Sequence, residues 1–244
     1  MPMVAPDRLA EVFVDVADTL VDTFDLIDFL QRVATHTSDL VDAHAAGLLL
    51  ADDRGHLQLM AASDETAEML ELFQVQTSEG PCHDCYHHGE AVINADLREA
   101  GDRWPMFAPR AVAAGYRSVH AFPMRWQRKV LGALNLFGVN PGQMATEDAR
   151  VVQALADIAT IGLLQERAIR HGEQLSEQLQ SALNSRILIE QAKGALAQMH
   201  GGSPDDGFTL LRDYCRRHRL RLTDIARAVV YEPSTVPELT TRRS

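Results

Sequence analysis

With 244 residues, 46% of them apolar and 23% charged, the chain has the makeup of a globular protein with room for one large domain or two smaller ones. No apolar run reaches membrane-spanning length, and no basic stretch leads into a short apolar block near the N-terminus; the expectation is a cytoplasmic protein without membrane contact. Three cysteines cannot make a disulfide framework, and a formal net charge of −11 argues against nucleic-acid binding by the chain as a whole.

In chain order, residues 7–35 read as helix, with Leu9, Val12, Phe13, Val16, Leu20, Phe24, Ile27 and Leu30 at three- and four-residue spacing and a break near Thr23 to Asp25. The apolar run 46–51, the turn Asp52-Asp53-Arg54-Gly55 and a second run 57–62 form a hairpin signal. Helix follows over 65–76, then a strand at Ala91-Val92-Ile93 and a loop holding Trp104 and Pro105. Residues 118–124 and 130–137 flank the polar turn Gln127-Arg128-Lys129 as a second hairpin. Two hairpins bracketed by helices predict an α+β domain with a largely antiparallel sheet.

Thr146, followed by Glu147 and Asp148, opens a helical stretch that meets few breakers before Met199. Leu175, Leu179, Ala182, Arg186 and Ile189 follow a 4-3-4-3 spacing, which fits a short dimerising coiled coil; a helix lying on its own domain fits as well. Ser203-Pro204-Asp205-Asp206 starts another helix, running to about Arg219. A third spans Thr223 to Tyr231, Glu232-Pro233 stops it, and the tail to Ser244 is expected to be disordered. Ile189, Ala192, Leu196 and Met199, then Phe208, Leu211 and Cys215, then Leu222, Ile225 and Val229 can share one core.

Charge is unevenly spread. Residues 184–231 carry eight Lys/Arg against five Asp/Glu, whereas residues 1–183 carry a net −14. An acidic body with a basic end suggests two jobs, the basic end being where a polyanion docks. Arg212, Arg216 and Arg219 follow 4-3 spacing, with Arg217 and Arg221 nearby, and such a stripe suits phosphate because guanidinium forks bind it bidentately. Arg186 and Lys193 lie seven residues apart on nearly one side of the preceding helix; with Glu190 between them they also fit a solvated ion-pair ladder.

Arg186 to Leu196, Ser203 to Arg212 and Arg221 to Ala226, three ordered motifs within residues 180–231, resemble the ANTAR domain. That family consists of three-helix modules that bind paired RNA hairpins in nascent transcripts and prevent terminator formation. The resemblance places Ala192-Lys193-Gly194, Arg186, Arg212 and Arg216 at or near RNA; Arg219 and Arg221 join them on charge alone. Gly207 and Cys215 depart from the family's usual alanine, and Gly207 costs helix stability of up to about 1 kcal/mol.

Residues 7–165 resemble a GAF domain through Glu79-Gly80-Pro81-Cys82, Trp104-Pro105, Gly115 to Val119, Gly132 to Leu136 and Gln153 to Ala159. GAF domains sense small molecules or redox state, and the fold does not identify the ligand. Cys82, Cys85 and His88 are the local cluster with chemical potential, as a redox pair, as metal or haem ligands, or as plain structural residues. Trp104, Phe107, Phe122, Met124 and Leu136 line a ligand pocket or pack as core.

The expected architecture is therefore an antiparallel-sheet GAF-like sensory domain (1–165), a helical coiled-coil linker (166–184), a three-helix ANTAR bundle (185–231) and a tail (232–244). The expected function is a non-enzymatic, homodimeric antiterminator whose RNA binding answers a small-molecule or redox signal; no cofactor is assigned. DNA binding, through the helix-turn-helix-like Leu222 to Arg227, and thiol chemistry at Cys82 and Cys85 are the alternatives.

Overall fold

The computed structural model describes residues 5–21, 25–141 and 144–241. The chain divides into two compact units, Met1–Ala168 and Ile169–Ser244.

Unit 1 begins with two helices, α1 (Pro6–Val21) and α2 (Leu26–Leu40). Asp25 caps α2 by accepting the Asp28 N–H, which fixes one side of the expected break; Thr23 and Phe24 lie outside the described residues. Next come β1 (Ala45–Ala51), β2 (Leu57–Ala62), α3 (Glu65–Thr77), α4 (Pro81–His88), β3 (Val92–Asp96), α5 (Phe107–Ala113), β4 (Ser118–Trp126) and β5 (Lys129–Gly138). The strands form one antiparallel sheet of order β2-β1-β5-β4-β3. Both hairpins expected from sequence are present. In the first turn the Asp52 carboxylate accepts the N–H groups of Arg54 and His56, satisfying the backbone where the strands part.

The sheet is covered on both faces, which is why β1, β4 and β5 are buried in continuous stretches, apolar for the most part, rather than at alternate residues. On one face Leu48, Leu50, Phe122, Met124, Leu134 and Leu136 pack with α1, α2 and the start of α6 (Thr146–His200). On the other, Leu49, Val119, Ala121, Ala133 and Phe137 pack with α3, α4 and α5. α4 and α5 carry no distinctive signal in the sequence. They have 8 and 7 residues, and neither has a side-chain N-cap.

Unit 2 contains the later part of α6, α7 (Pro204–His218), α8 (Leu222–Tyr231), a 3₁₀ turn (Pro233–Thr235) and α9 (Pro237–Thr240). Ser203 and Asp206 form a reciprocal capping box at the start of α7, as the sequence predicts. The core joins Leu188, Ala192 and Leu196 to Leu211 and Cys215 and to Ile225, Ala226 and Val229. Two expected core residues, Phe208 and Met199, are half-buried and outside this cluster, and Tyr214 packs against it.

The tail is likewise not disordered through residue 241. Val236 and Leu239, each 4% exposed, complete the core, and the Leu239 carbonyl lies 2.7 Å from the His200 ring. Two buried apolar side chains in a short proline-broken segment are too few to stand out in sequence, yet enough to anchor it. Leu239→Ala is expected to remove roughly 2–4 kcal/mol from unit 2, read as an earlier denaturant midpoint; an unchanged midpoint would mean the tail is dispensable.

Candidate nucleic-acid interface and sensory core

The basic face of unit 2 is built on α6 and α7. Arg212 and Arg216, one turn apart on α7, are both exposed, and the nearest acid to Arg212 is its neighbour Asp213 at 3.8 Å. Like charges at this spacing repel in an isolated helix, so the arrangement favours an external anion. Phe208 stands one turn before Arg212. The Lys193 ammonium from α6 lies 5.5 Å from its ring centre and 3.0 Å from Glu190, with 17% of the lysine side chain exposed. Lys193, Phe208, Arg212 and Arg216 therefore form a row in which cations flank a partly open aromatic ring.

The remaining candidates separate. Arg186 is exposed on α6. Ala192 is fully buried in the unit 2 core, so its side chain cannot meet a ligand. Gly194 is exposed, and a Cβ there would meet nothing within 4 Å, so it is not a packing glycine and leaves the helix open to close approach. Arg219 is not part of the α7 stripe, because it takes the left-handed C-cap position at φ 56°. Arg221 is the exposed N-cap residue of α8. Gly207 has a role that its helix propensity conceals: a Cβ there would collide with the Lys193 carbonyl, so the glycine lets α7 cross α6 closely. Phe208 was missed as a surface residue because its apolar type and spacing suit the core; its position next to Lys193 exists only across two helices.

In unit 1, Cys82 and Cys85 are buried free thiols on α4. Burial pushes the Cys82 thiol well above its ordinary range and that of Cys85 up to about 12. Thiolates are the nucleophiles and metal ligands, so both are chemically quiet. His88 is exposed and held by the Asp84 carbonyl at 2.8 Å. Among the described residues, no three His, Cys, Asp or Glu side chains are placed to hold a metal ion. Trp104 and Phe122 do not line a common pocket. Trp104 packs with Phe107 on the α3–α5 face, donating its indole N–H to Asp84 at 3.1 Å, whereas Phe122 lies in the opposite core with Met124 and Leu136.

What the sequence hides is a polar cluster inside the α3–α5 face. The Glu71 carboxyl is fully buried and accepts from Asn135 at 2.8 and 2.9 Å and from Gln74 at 2.8 Å. The Gln74 carbonyl accepts the Cys82 N–H at 3.1 Å. Burial raises the Glu71 pKa to about 8. Gly47, in the middle of β1, supplies the room, since a Cβ there would strike the carboxyl. A glycine inside an otherwise apolar strand was the available clue.

Comparison with known proteins agrees with this architecture. The sheet unit is similar to the GAF domain of a phosphoenolpyruvate-protein phosphotransferase from Acinetobacter (17% identity, 68% of this chain and 99% of that one, TM-score 0.52). The corresponding domain from Coxiella burnetii matches similarly (19%, 68% and 98%, 0.53). So does a free methionine-R-sulfoxide reductase from Neisseria meningitidis solved with its substrate (17%, 69% and 97%, 0.52). At these identities the likeness establishes the fold alone. No curated protein matches the sequence, and no described helix is long and apolar enough to cross a membrane. Residues 177–230 match the ANTAR domain and residues 25–164 the GAF domain. With the latter match spanning more than half of its 244 residues, the chain belongs to the GAF domain family and joins that sensory domain to a C-terminal ANTAR domain.

Proposed function

We propose that the chain is a signal-responsive antitermination regulator, acting in the cytoplasm as a homodimer, whose unit 2 binds hairpins in nascent RNA under control of unit 1. The observation that carries the reading is the row of Lys193, Phe208, Arg212 and Arg216. Guanidinium and ammonium groups meet phosphates, while a partly open ring between them offers a stacking surface to a splayed loop base. Arg186, Gly194, Arg219 and Arg221 extend this surface. Leu175, Leu179 and Leu183 on α6, between 49% and 58% exposed, support pairing of two copies through the helix. With both unit 1 thiols buried, the signal is read as a small molecule rather than an oxidant, and no reaction is assigned to the chain.

The test is filter retention of tandem stem-loop RNA, against duplex DNA at matched salt, together with terminator read-through. Lys193→Glu and Arg212→Glu are expected each to lower RNA affinity roughly ten- to a hundredfold and to flatten its salt dependence by about one unit per lost phosphate contact. Undiminished retention and read-through in both variants, or tighter binding to the duplex, overturns the reading.

A further inference from the structure

On the α1–α2 face of the unit 1 sheet lies a cavity of about 300 Å³ that the polar cluster around Glu71 does not reach. Val41 to His44, connecting α2 to β1, form one wall. Ser118, His120 and the end of β5 form another, and Asp148 in the first turn of α6 closes it. Ser118 and His120 alternate along β4 with Val119 and Ala121, so they face away from Cys82 and Glu71 and toward the Phe122 core. The volume lies at the small end of the range for sites that enclose organic ligands, about 300–1,000 Å³.

The charges of this cavity are unbalanced. Asp148 is 3% exposed, and one of its carboxylate oxygens is buried with no hydrogen-bond partner among the described residues. Asp42 stands at the rim, exposed, in the left-handed region at φ 51°. Among the described lining residues there is no Lys or Arg, and the exposed His44 stands at the rim with Asp42, away from the buried Asp148. Burial pushes the His120 pKa down to about 4, so its ring brings no positive charge at neutral pH. A carboxylate oxygen withdrawn from water without a donor is costly, and an N–H-bearing cation relieves that cost. With no metal-holding group of side chains present among the described residues, the matching chemistry is an organic cation rather than a metal ion.

We propose that this cavity binds a small organic ammonium ion, with its charged head against Asp148 and its body between Ser118 and the α2–β1 connection. The ligand would then touch the first turn of α6, the 55-residue helix that also supplies Leu188, Ala192 and Leu196 to the unit 2 core. Naming the ligand a signal rests on the proposed regulatory role; the binding itself does not, and it is measured without RNA.

Calorimetry and thermal shift on the full chain with putrescine, cadaverine and agmatine test the site, with butanediol and succinate as neutral and anionic controls. At least one amine should bind and raise the melting temperature, while the controls do nothing. Asp148→Asn should weaken that binding by roughly tenfold or more. Asp42→Asn, in a backbone conformation that asparagine tolerates, and Ser118→Ala should weaken it by smaller factors. Circular dichroism checks that each variant is folded, and the last two decide the matter if Asp148→Asn is not. No binding by any of the three amines, equal binding of butanediol, or affinity unchanged in the folded variants overturns the proposal.

Discussion

Glu71→Gln is expected to leave stability unchanged below about pH 4.5 and to raise it progressively above, by on the order of 2–4 kcal/mol on the alkaline side of neutrality. The carboxyl has no cation among its partners, and desolvation favours its protonated form, lifting the pKa from 4.5 to about 8. Below the unfolded-state value both states hold the proton, so the group contributes no pH dependence. As the pH rises through the interval up to about 8, the unfolded chain gives up the proton and the folded chain keeps it, so folding loses free energy by at most about 1.4 kcal/mol per pH unit. Above that interval the loss is complete.

Glutamine carries the neutral shape at every pH. Its amide can donate to the Asn135 carbonyl oxygen, which is buried with no hydrogen-bond partner among the described residues. Urea unfolding of both proteins across this pH range checks the point. Parallel curves for the two would show that Glu71 is not the source, whereas a difference that opens with rising pH is the expected result.

Gly207→Ala is expected to destabilise unit 2 by roughly 1–3 kcal/mol, the opposite of what helix propensity alone predicts. In an exposed helix, alanine for glycine would gain up to about 1 kcal/mol. Here the added carbon meets the Lys193 carbonyl and approaches the Ala197 nitrogen at 3.1 Å, both of them backbone atoms of α6 that cannot rotate away. The helices must separate, which loosens the contacts of Leu211 with Ala192 and Leu196 and moves Phe208 and Arg212 away from Lys193. Hydrogen exchange along α7 and RNA retention should therefore change together. A variant more stable than the parent, with RNA retention intact, would mean that the crossing has slack.

The hairpins, the long helix, the capping box at Ser203 and the two-domain order were legible because each depends on neighbours in sequence: turn chemistry, spacing along a helix face, a cap three residues from its partner. Elsewhere locality left roles open or misled. Cys82-x-x-Cys85 admits redox, metal and structural readings as a string, and α4 turns both thiols into an apolar core that disfavours ionisation. Arg219 fits the basic stripe by spacing alone, and the left-handed C-cap takes it off the helix. Ala192 lies in the core, as its spacing indicates, and not at the surface that the ANTAR resemblance gave it, whereas Phe208 leaves the expected core for the surface beside the α6–α7 crossing at Gly207.

Local patterns thus sufficed for the longer helices, the two hairpins, their order and the chain's division of charge, but not for the short helices α4, α5 and α9. The buried Glu71 cluster, the Asp148 cavity and the Lys193–Phe208–Arg212–Arg216 row needed the folded chain. Each joins residues from separate elements, such as Glu71 and Asn135, 64 positions apart. A side chain's hydration and charge state depend on what packs against it in space, and no spacing along the chain encodes that.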